Sequence, residues 1–565
     1  MVRRMSRDRP GATRHLLALV LLAGIMAALS IRLFSGMTTV GMSGVDTFEY
    51  WKYANEIIHD KREFVFNRLS FYAINVLALK VLGPNDYAIR ATIGALAVLN
   101  VGLVYLLSYR LSASTLIALA VAALYAFNPV MLRYAETELP HITGATFVLL
   151  TFLFSLPVLD RRQGLNRRLA CAFLAGVAIA GAVLTHEEII FLAAGHCFAI
   201  ALVLLTASDR PPDRAWSREF APIAAALALG GAVGALWPML ATGVGPGKIV
   251  RDFFALRAAV DENTAIRTGG DFLKVVLARA ITGFTVDSLG WILTVLAAAL
   301  AVIVPMQYAR RRTWALAAVL SIEIAIVFYI VAFLGIGRVY LEGSYQRLFI
   351  PMIGPTIAFT LASGFLIFNR RWLRGFALFV LVGVSSLMVW TYQPWVYYER
   401  VPTRHRALYD AAKALVTPDR RLLLPACFGL DASWVGIGSK VYLGDNVVPI
   451  YLMRQLVSFD ELLAKEKIGF VLVPTNPLRG MWPLDQMQKL FSVTYGEPMT
   501  EAELKSLSQV SQDVWRGDTR VEWSREACAF ESSTVRKLVE QHGGRPVASA
   551  PGVGDIFALD GAPKR

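Results

Sequence analysis

The residues best equipped for chemistry sit in short polar stretches between long apolar ones. Residues 41–60 read GMSGVDTFEYWKYANEIIHD, and helical spacing puts Asp46, Glu49, Tyr50 and Tyr53 on one side. A carboxylate beside aromatic rings suits a general base that takes a proton from an acceptor hydroxyl. Asp46-Thr47-Phe48-Glu49 also spells a capping box, with Asp46 capping a helix and Glu49 reaching back. The two roles are compatible, because a helix N-terminus keeps such a carboxylate ionised. A second stretch holds Arg133, Glu136, Glu138 and His141 at the lip of an apolar run. A solvated turn is its plain reading, and a second catalytic group is the functional one. In a third stretch, His186, Glu187 and Glu188 interrupt two apolar runs, which is costly unless water or partners meet them. A metal held by histidine and glutamate is conceivable there, although no regular ligand spacing supports it. Two arginines, Arg68 and Arg347, have the fork geometry that grips a phosphate through paired hydrogen bonds. Arg347 opens a run that reaches Pro351 and Pro355, so it stands at the head of a proline-containing apolar segment. Snorkelling toward lipid headgroups is the plainer role for such an arginine. Glu323 stands alone inside an apolar run, where a hydrogen bond to a neighbouring helix is expected.

The elements that must position these residues are membrane spans. Of 565 residues, 56% are hydrophobic and only 17% charged, low for a soluble protein. Many runs approach the ~20 apolar residues that cross a bilayer. They read as spans near 15–34, 88–109, 113–130, 140–158, 168–185, 187–206, 219–243, 287–308, 314–336, 347–368 and 374–392, about eleven in all. The first run also fits a secretory signal, but its length favours a span. Segment 61–84, half polar and half apolar, suggests helices in or dipping into the interface. The formal net charge is +14, and most of the excess falls in alternate short connections such as LDRRQGLNRR and YARRR. That bias reads as topology, not as a nucleic-acid surface. It predicts a cytoplasmic N-terminus in a cell (inner) membrane, with Asp46, the 133–141 stretch, His186 and Arg347 sharing the extracytoplasmic side.

From about residue 395 the composition becomes that of a soluble domain. RRLLLPACF and FVLVPT have strand character, SFDELLAKEKI and SSTVRKLVEQHG are helical in pattern, and VASAPGVGDIFAL reads as a terminal hairpin. The expected organisation is a transmembrane domain over 1–394 and a small extracytoplasmic α/β domain over 395–565. Cys427 and Cys528 both fall in that second domain, where an oxidising compartment invites them to pair; two buried free thiols are the alternative. No cysteine or histidine cluster has metal-site spacing.

In its order of features the chain resembles the GT-C membrane glycosyltransferases. The likeness is to the branch of protein O-mannosyltransferases, lipid A aminoarabinose transferases and lipopolysaccharide-core galacturonosyltransferases, and it covers roughly 15–370. Asp46 before Tyr50 and Tyr53 matches the family's first-loop acid and its Tyr-rich helix. Asn67-Arg68-Leu69-Ser70-Phe71-Tyr72 stands where the family has a Lys-Pro-Pro segment, with Arg68 for the lysine and the prolines missing. Tyr87-Ala88-Ile89-Arg90 resembles its aromatic-Ala-x-Arg span start. Arg133 matches an arginine of the second outer loop, whose acid is Glu136 or Glu138; by spacing that position falls on His141. Arg347 to Pro351 resembles an Arg-Tyr-x-x-Pro motif without its tyrosine.

The resemblance implies an all-α polytopic fold. It also implies transfer of a sugar, with inversion, from a polyprenyl-phosphate donor to a glycan, lipid or protein acceptor at the outer face. No cofactor is firmly predicted, and a divalent metal stays open as an alternative. The rival classes are a transporter or lipid flippase and a non-catalytic assembly protein. Repeated halves and polar midplane sites would mark a transporter, and the chain shows no internal repeat.

Overall fold

A computed structural model of the chain describes residues 12–34, 68–83, 88–135, 139–186, 189–206, 219–247, 288–335, 350–368, 370–379, 403–427, 443–450, 455–475, 481–507, 509–513, 518–522 and 525–559, with a few single positions between. The chain divides into two compact units, Met1–Met37 with Tyr53–Trp395, and Thr38–Lys52 with Val396–Arg565.

The first unit is helical. Its elements are α1 (Ala12–Phe34), α2 (Leu69–Leu82), α3 (Ala88–Ser112), α4 (Thr115–Ala126), α5 (Pro129–Ala135), α6 (His141–Leu159), α7 (Leu165–Val183), α8 (Ile189–Thr206), α9 (Ala221–Thr242), α10 (Ser288–Arg311), α11 (Trp314–Gly335), α12 (Ile350–Ile367) and α13 (Arg370–Phe379). Among the described residues, eight of these helices are long and apolar enough to cross a bilayer: α1, α3, α6, α7, α8, α9, α11 and α12. Leu17 on α1, Leu240 on α9, Val302 on α10 and Val331 on α11 are each more than half exposed. Apolar surface on so many helices calls for a hydrocarbon solvent. The interior is occupied by α4 and α12, whose side chains are buried nearly throughout.

Three local features explain the packing. Gly176 of α7 and Gly230 and Gly234 of α9 bring two backbones together, since a Cβ at any of them would overlap main-chain atoms of the facing helix. Small residues at four-residue spacing are the usual means of such close approach in membranes. The expected span at 113–130 is interrupted. The Asn128 Oδ1 accepts hydrogen bonds from the Val130 and Met131 N–H groups at 3.0 and 3.1 Å, and Pro129 follows it as the first helical residue. An asparagine cap and a proline at the next position start a new helix, so α4 stops at Ala126. Segment 69–82 forms one short apolar helix, α2, with nine buried residues and exposed Leu77 and Val81.

In the second unit the strands are β1 (Arg421–Leu424), β2 (Val447–Pro449), β3 (Ile468–Pro474), β4 (Met481–Pro483), β5 (Gln509–Asp513), β6 (Asp518–Glu522), β7 (Arg545–Ala550) and β8 (Gly554–Ala558). A five-stranded sheet runs β2-β1-β3-β8-β7, and a three-stranded sheet runs β4-β6-β5. β1 lies parallel to β2 and β3, whereas β8 is antiparallel to β3 and β7. Every residue of β3 is buried. Val471 and Val473 face one core and Phe470 and Leu472 the other, as a strand covered on both faces requires. The helices here are α14 (Thr403–Lys413), α15 (Phe459–Lys465), α16 (Leu484–Lys489), α17 (Glu501–Leu507) and α18 (Arg525–Gln541). The strands and helices expected from RRLLLPACF, FVLVPT, SFDELLAKEKI and SSTVRKLVEQHG are present, and β7–β8 is the terminal hairpin. Cys427 and Cys528 form a disulfide with a Cα–Cα distance of 5.4 Å, tying the end of β1 to α18.

Candidate functional site

One end of the helical unit gathers polar residues from separate parts of the chain. Ser70 N–H of α2 donates to the Leu184 carbonyl at 3.0 Å. This pins the start of α2 to the α7–α8 turn, which contains Thr185 and His186. Arg68 occupies the N-cap of α2, half-buried, and its carbonyl accepts the Tyr72 N–H at 3.0 Å. His141 opens α6, and the His141 and His186 rings lie 4.9 Å apart between centroids. Tyr134, at the end of α5, meets His141 edge-on at 6.2 Å. The start of α12 closes the group: a Cβ at Gly144 would crowd Ile189 at 2.9 Å and would touch Thr185 and Pro351 at 3.7 and 3.8 Å.

Both histidines are almost wholly buried, at 2% and 4% exposure. Two imidazoles this close offer nitrogens that donate and accept, suited to binding hydroxyl groups. Among the described residues, no group of three or more His, Cys, Asp or Glu gathers as metal ligands.

Of the residues singled out in the sequence, His141, His186 and Arg68 come together at this end, and Arg133 lies in α5 beside Tyr134. Asp46, Tyr50, Tyr53, Glu136, Glu138, Glu187 and Arg347 lie outside the described residues. Sequence reasoning missed Asn75. It is fully buried on α2, and both of its amide atoms lack a hydrogen-bond partner among the described residues. An asparagine inside an apolar helix was the available signal. Arg90, on the first turn of α3, is only 3% exposed, so it is no headgroup anchor.

No protein family and no curated protein matches the chain. Solved structures do. ArnT from Cupriavidus metallidurans bound to undecaprenyl phosphate matches with a TM-score of 0.51 at 13% identity, over 89% of this chain and 97% of that one. The apo state of that protein gives 0.49 at 14%, over 90% and 98%. The Archaeoglobus fulgidus oligosaccharyltransferase AglB, in complex with an inhibitory peptide and a dolichol-phosphate, gives 0.47 at 14%, over 91% and 75%. The chain has the GT-C glycosyltransferase fold, a polytopic helical domain followed by a small sheet domain.

Proposed function

We propose that the protein is an integral membrane glycosyltransferase. It moves a sugar from a polyprenyl-phosphate donor to an acceptor hydroxyl on the extracytoplasmic face, with Asp46 as general base. The observation that carries this reading is the convergence at one end of the bundle of Arg68, His141, His186 and the start of α12. The fold shared with ArnT, seen with undecaprenyl phosphate, supports the donor class.

The chemistry divides among named residues. A leaving phosphate needs cations, not a proton donor, to stabilise its growing charge. Arg68 serves here, together with Arg347, which is three residues before Ile350. Asp46 removes the acceptor proton. His141 and His186 orient hydroxyl groups of donor or acceptor, and Glu136, Glu138 and Glu187 flank them in sequence. The acceptor is a glycan, a lipid or a protein.

The test is transfer of radiolabel from a polyprenyl-phosphate sugar by the purified protein. Asp46→Asn is expected to fold and to lose roughly a hundredfold or more in rate, since an amide caps a helix but takes no proton. Arg347→Ala abolishes transfer, and Arg347→Lys lowers turnover more than expression, because lysine lacks the fork. Full activity in Asp46→Asn would leave Asp46 as a helix cap only. No transfer from any polyprenyl-phosphate sugar, with substrate uptake instead, would favour the transporter class.

A further inference from the structure

The opposite end of the helical unit holds a second site. Trp314 Nε1 donates to the Leu156 carbonyl at 3.3 Å, and Arg161 Nη2 donates to the Leu204 carbonyl at 2.9 Å. These bonds collect the ends of α6 and α8 and the start of α11, away from His141 at the beginning of α6 and His186 just before α8. Between α8, α10 and α11 lies a cleft of about 600 Å³, within the ordinary range of ligand pockets. Its walls are apolar: Phe198 and Leu202 of α8, Ala301 and Pro305 of α10, and Ile324 and Val327 of α11. The small side chains on α10 create the room.

Two residues of this apolar lining carry an acceptor without its donor. Glu323 lines the cleft at 5% exposure, and its Oε2 is buried without a hydrogen-bond partner among the described residues. Among the described residues, the expected bond from Glu323 to a neighbouring helix is not made at this oxygen. An unmet carboxyl oxygen in hydrocarbon costs several kilocalories. Pro305 has no N–H to give the Ala301 carbonyl, which also belongs to the lining. At the mouth the Thr206 and Tyr308 hydroxyls lie 3.4 Å apart. Arg312 lines the mouth, exposed, beside exposed Arg310 and Arg311. Glu323 is nine residues beyond Trp314, so at 1.5 Å per residue it lies about 14 Å deeper along α11.

We propose that this cleft binds a lipid with an anionic head and a hydroxyl near the middle of its aliphatic chain. The head pairs with Arg312, the chain fills the apolar walls, and the mid-chain hydroxyl donates to Glu323. A hydroxyl fits better than an amine, because a neutral donor reaches hydrocarbon depth at far lower cost than a cation does. The site lies apart from the transfer site, so its occupancy is measured without any sugar donor.

Native mass spectrometry and thermal shift of the full chain in detergent provide the test, with 12-hydroxyoctadecanoate, octadecanoate and 12-methoxyoctadecanoate as probes. The 12-hydroxy lipid is expected to bind about fivefold or more tighter than the other two, the worth of one buried hydrogen bond. In Glu323→Leu the three lipids bind alike. In Arg312→Gln all three weaken together. Equal binding of the three lipids to the parent protein overturns the proposal, and so does a hydroxyl preference that survives in Glu323→Leu. The methyl ether needs no variant, so a poorly folding mutant leaves the test intact. A dimer of the chain that dissociates in Glu323→Leu would make the cleft a helix–helix contact and overturn the lipid assignment.

Discussion

Two buried glutamates, one in each unit, are treated in opposite ways by the residues around them. Glu531 of α18 is fully buried and accepts from the Ala426 N–H at 3.0 Å, the Cys427 N–H at 2.7 Å and the Tyr495 hydroxyl. Those donors come from the turn after β1 and from Tyr495, 36 residues before Glu531, so one carboxyl joins three parts of the chain. Glu323, almost as deeply buried, leaves Oε2 with no partner among the described residues. Asn75, on α2, leaves its whole amide without a partner among the described residues. A buried acceptor with its donors supplied by the fold is a structural device. One left without donors carries an unmet desolvation cost. Glu531 is of the first kind, and Glu323 Oε2 and the Asn75 amide are of the second.

The comparison breaks most readily at Glu531. Glu531→Leu strands two backbone N–H groups and the Tyr495 hydroxyl in a dry core. We expect a loss of about 3 kcal/mol or more, read by denaturant unfolding of the full chain through signals from the second unit. Tyr495→Phe, which removes one donor, is expected to cost about half as much. A loss under about 1 kcal/mol in Glu531→Leu would show that the three bonds do not hold the unit together.

The disulfide beside Glu531 comes next in size. It closes a separation of 101 residues, and a native disulfide is typically worth about 2–4 kcal/mol. Cys427→Ser with Cys528→Ser, or reduction of the parent, should lower the stability of the second unit by that amount and leave the helical unit unchanged. The same pair of measurements on Glu531→Leu tells whether bond and carboxyl act together, since neighbours in one network depart from additivity.

The pH response is smaller and has a definite sign. Burial pushes the Glu531 carboxyl up from 4.5 to about 7, outweighing the hydrogen bonds from Tyr495, Cys427 and Ala426, which lower it. The Tyr495 hydroxyl is raised as well, first by burial and then by Glu531. Between pH 4.5 and about 7 the folded state therefore holds a proton that the unfolded state has lost. Stability should be highest below pH 4.5 and fall by on the order of 2–3 kcal/mol as pH rises through 7. Glu531→Gln should abolish that slope. A parent curve that is flat from pH 4.5 to 7 would mean that Glu531 is ionised throughout.

How far these features were legible in the sequence depends on what produced them. The runs RLLL and IGFVLVP announced β1 and β3 because strands covered on both faces are continuously apolar and end at proline. Most spans were legible from length and hydropathy. The break after α4 was not, because Val130, Met131 and Leu132 continue the apolar run past Asn128 and hide its capping role. His141 and His186 could be placed on one side of the membrane by loop charge, but their 4.9 Å approach depends on how α6 packs against the α7–α8 turn. Glu531 gave no signal, since it sits in an ordinary amphipathic helix, and its donors lie 36 and 104–105 residues away. Contacts made across such separations depend on the assembled fold and not on local pattern.

The smallest expected effect sharpens the contrast most. Glu323→Leu replaces a buried carboxyl lacking one partner with an apolar side chain of similar length. The cost of leaving Oε2 unpaired disappears, and the walls around Phe198, Ile324 and Val327 accept another apolar group. No donor among the described residues is left without its acceptor, which is the reason Glu531→Leu is costly and Glu323→Leu is not. Thermal unfolding of the delipidated protein should therefore place Glu323→Leu within about 1 kcal/mol of the parent, on the stable side. The difference should reverse once 12-hydroxyoctadecanoate is added, because only the parent gains a hydrogen bond from it. A loss of about 2 kcal/mol or more in the delipidated variant would mean that Glu323 already has an internal partner, and the two glutamates would then be of one kind.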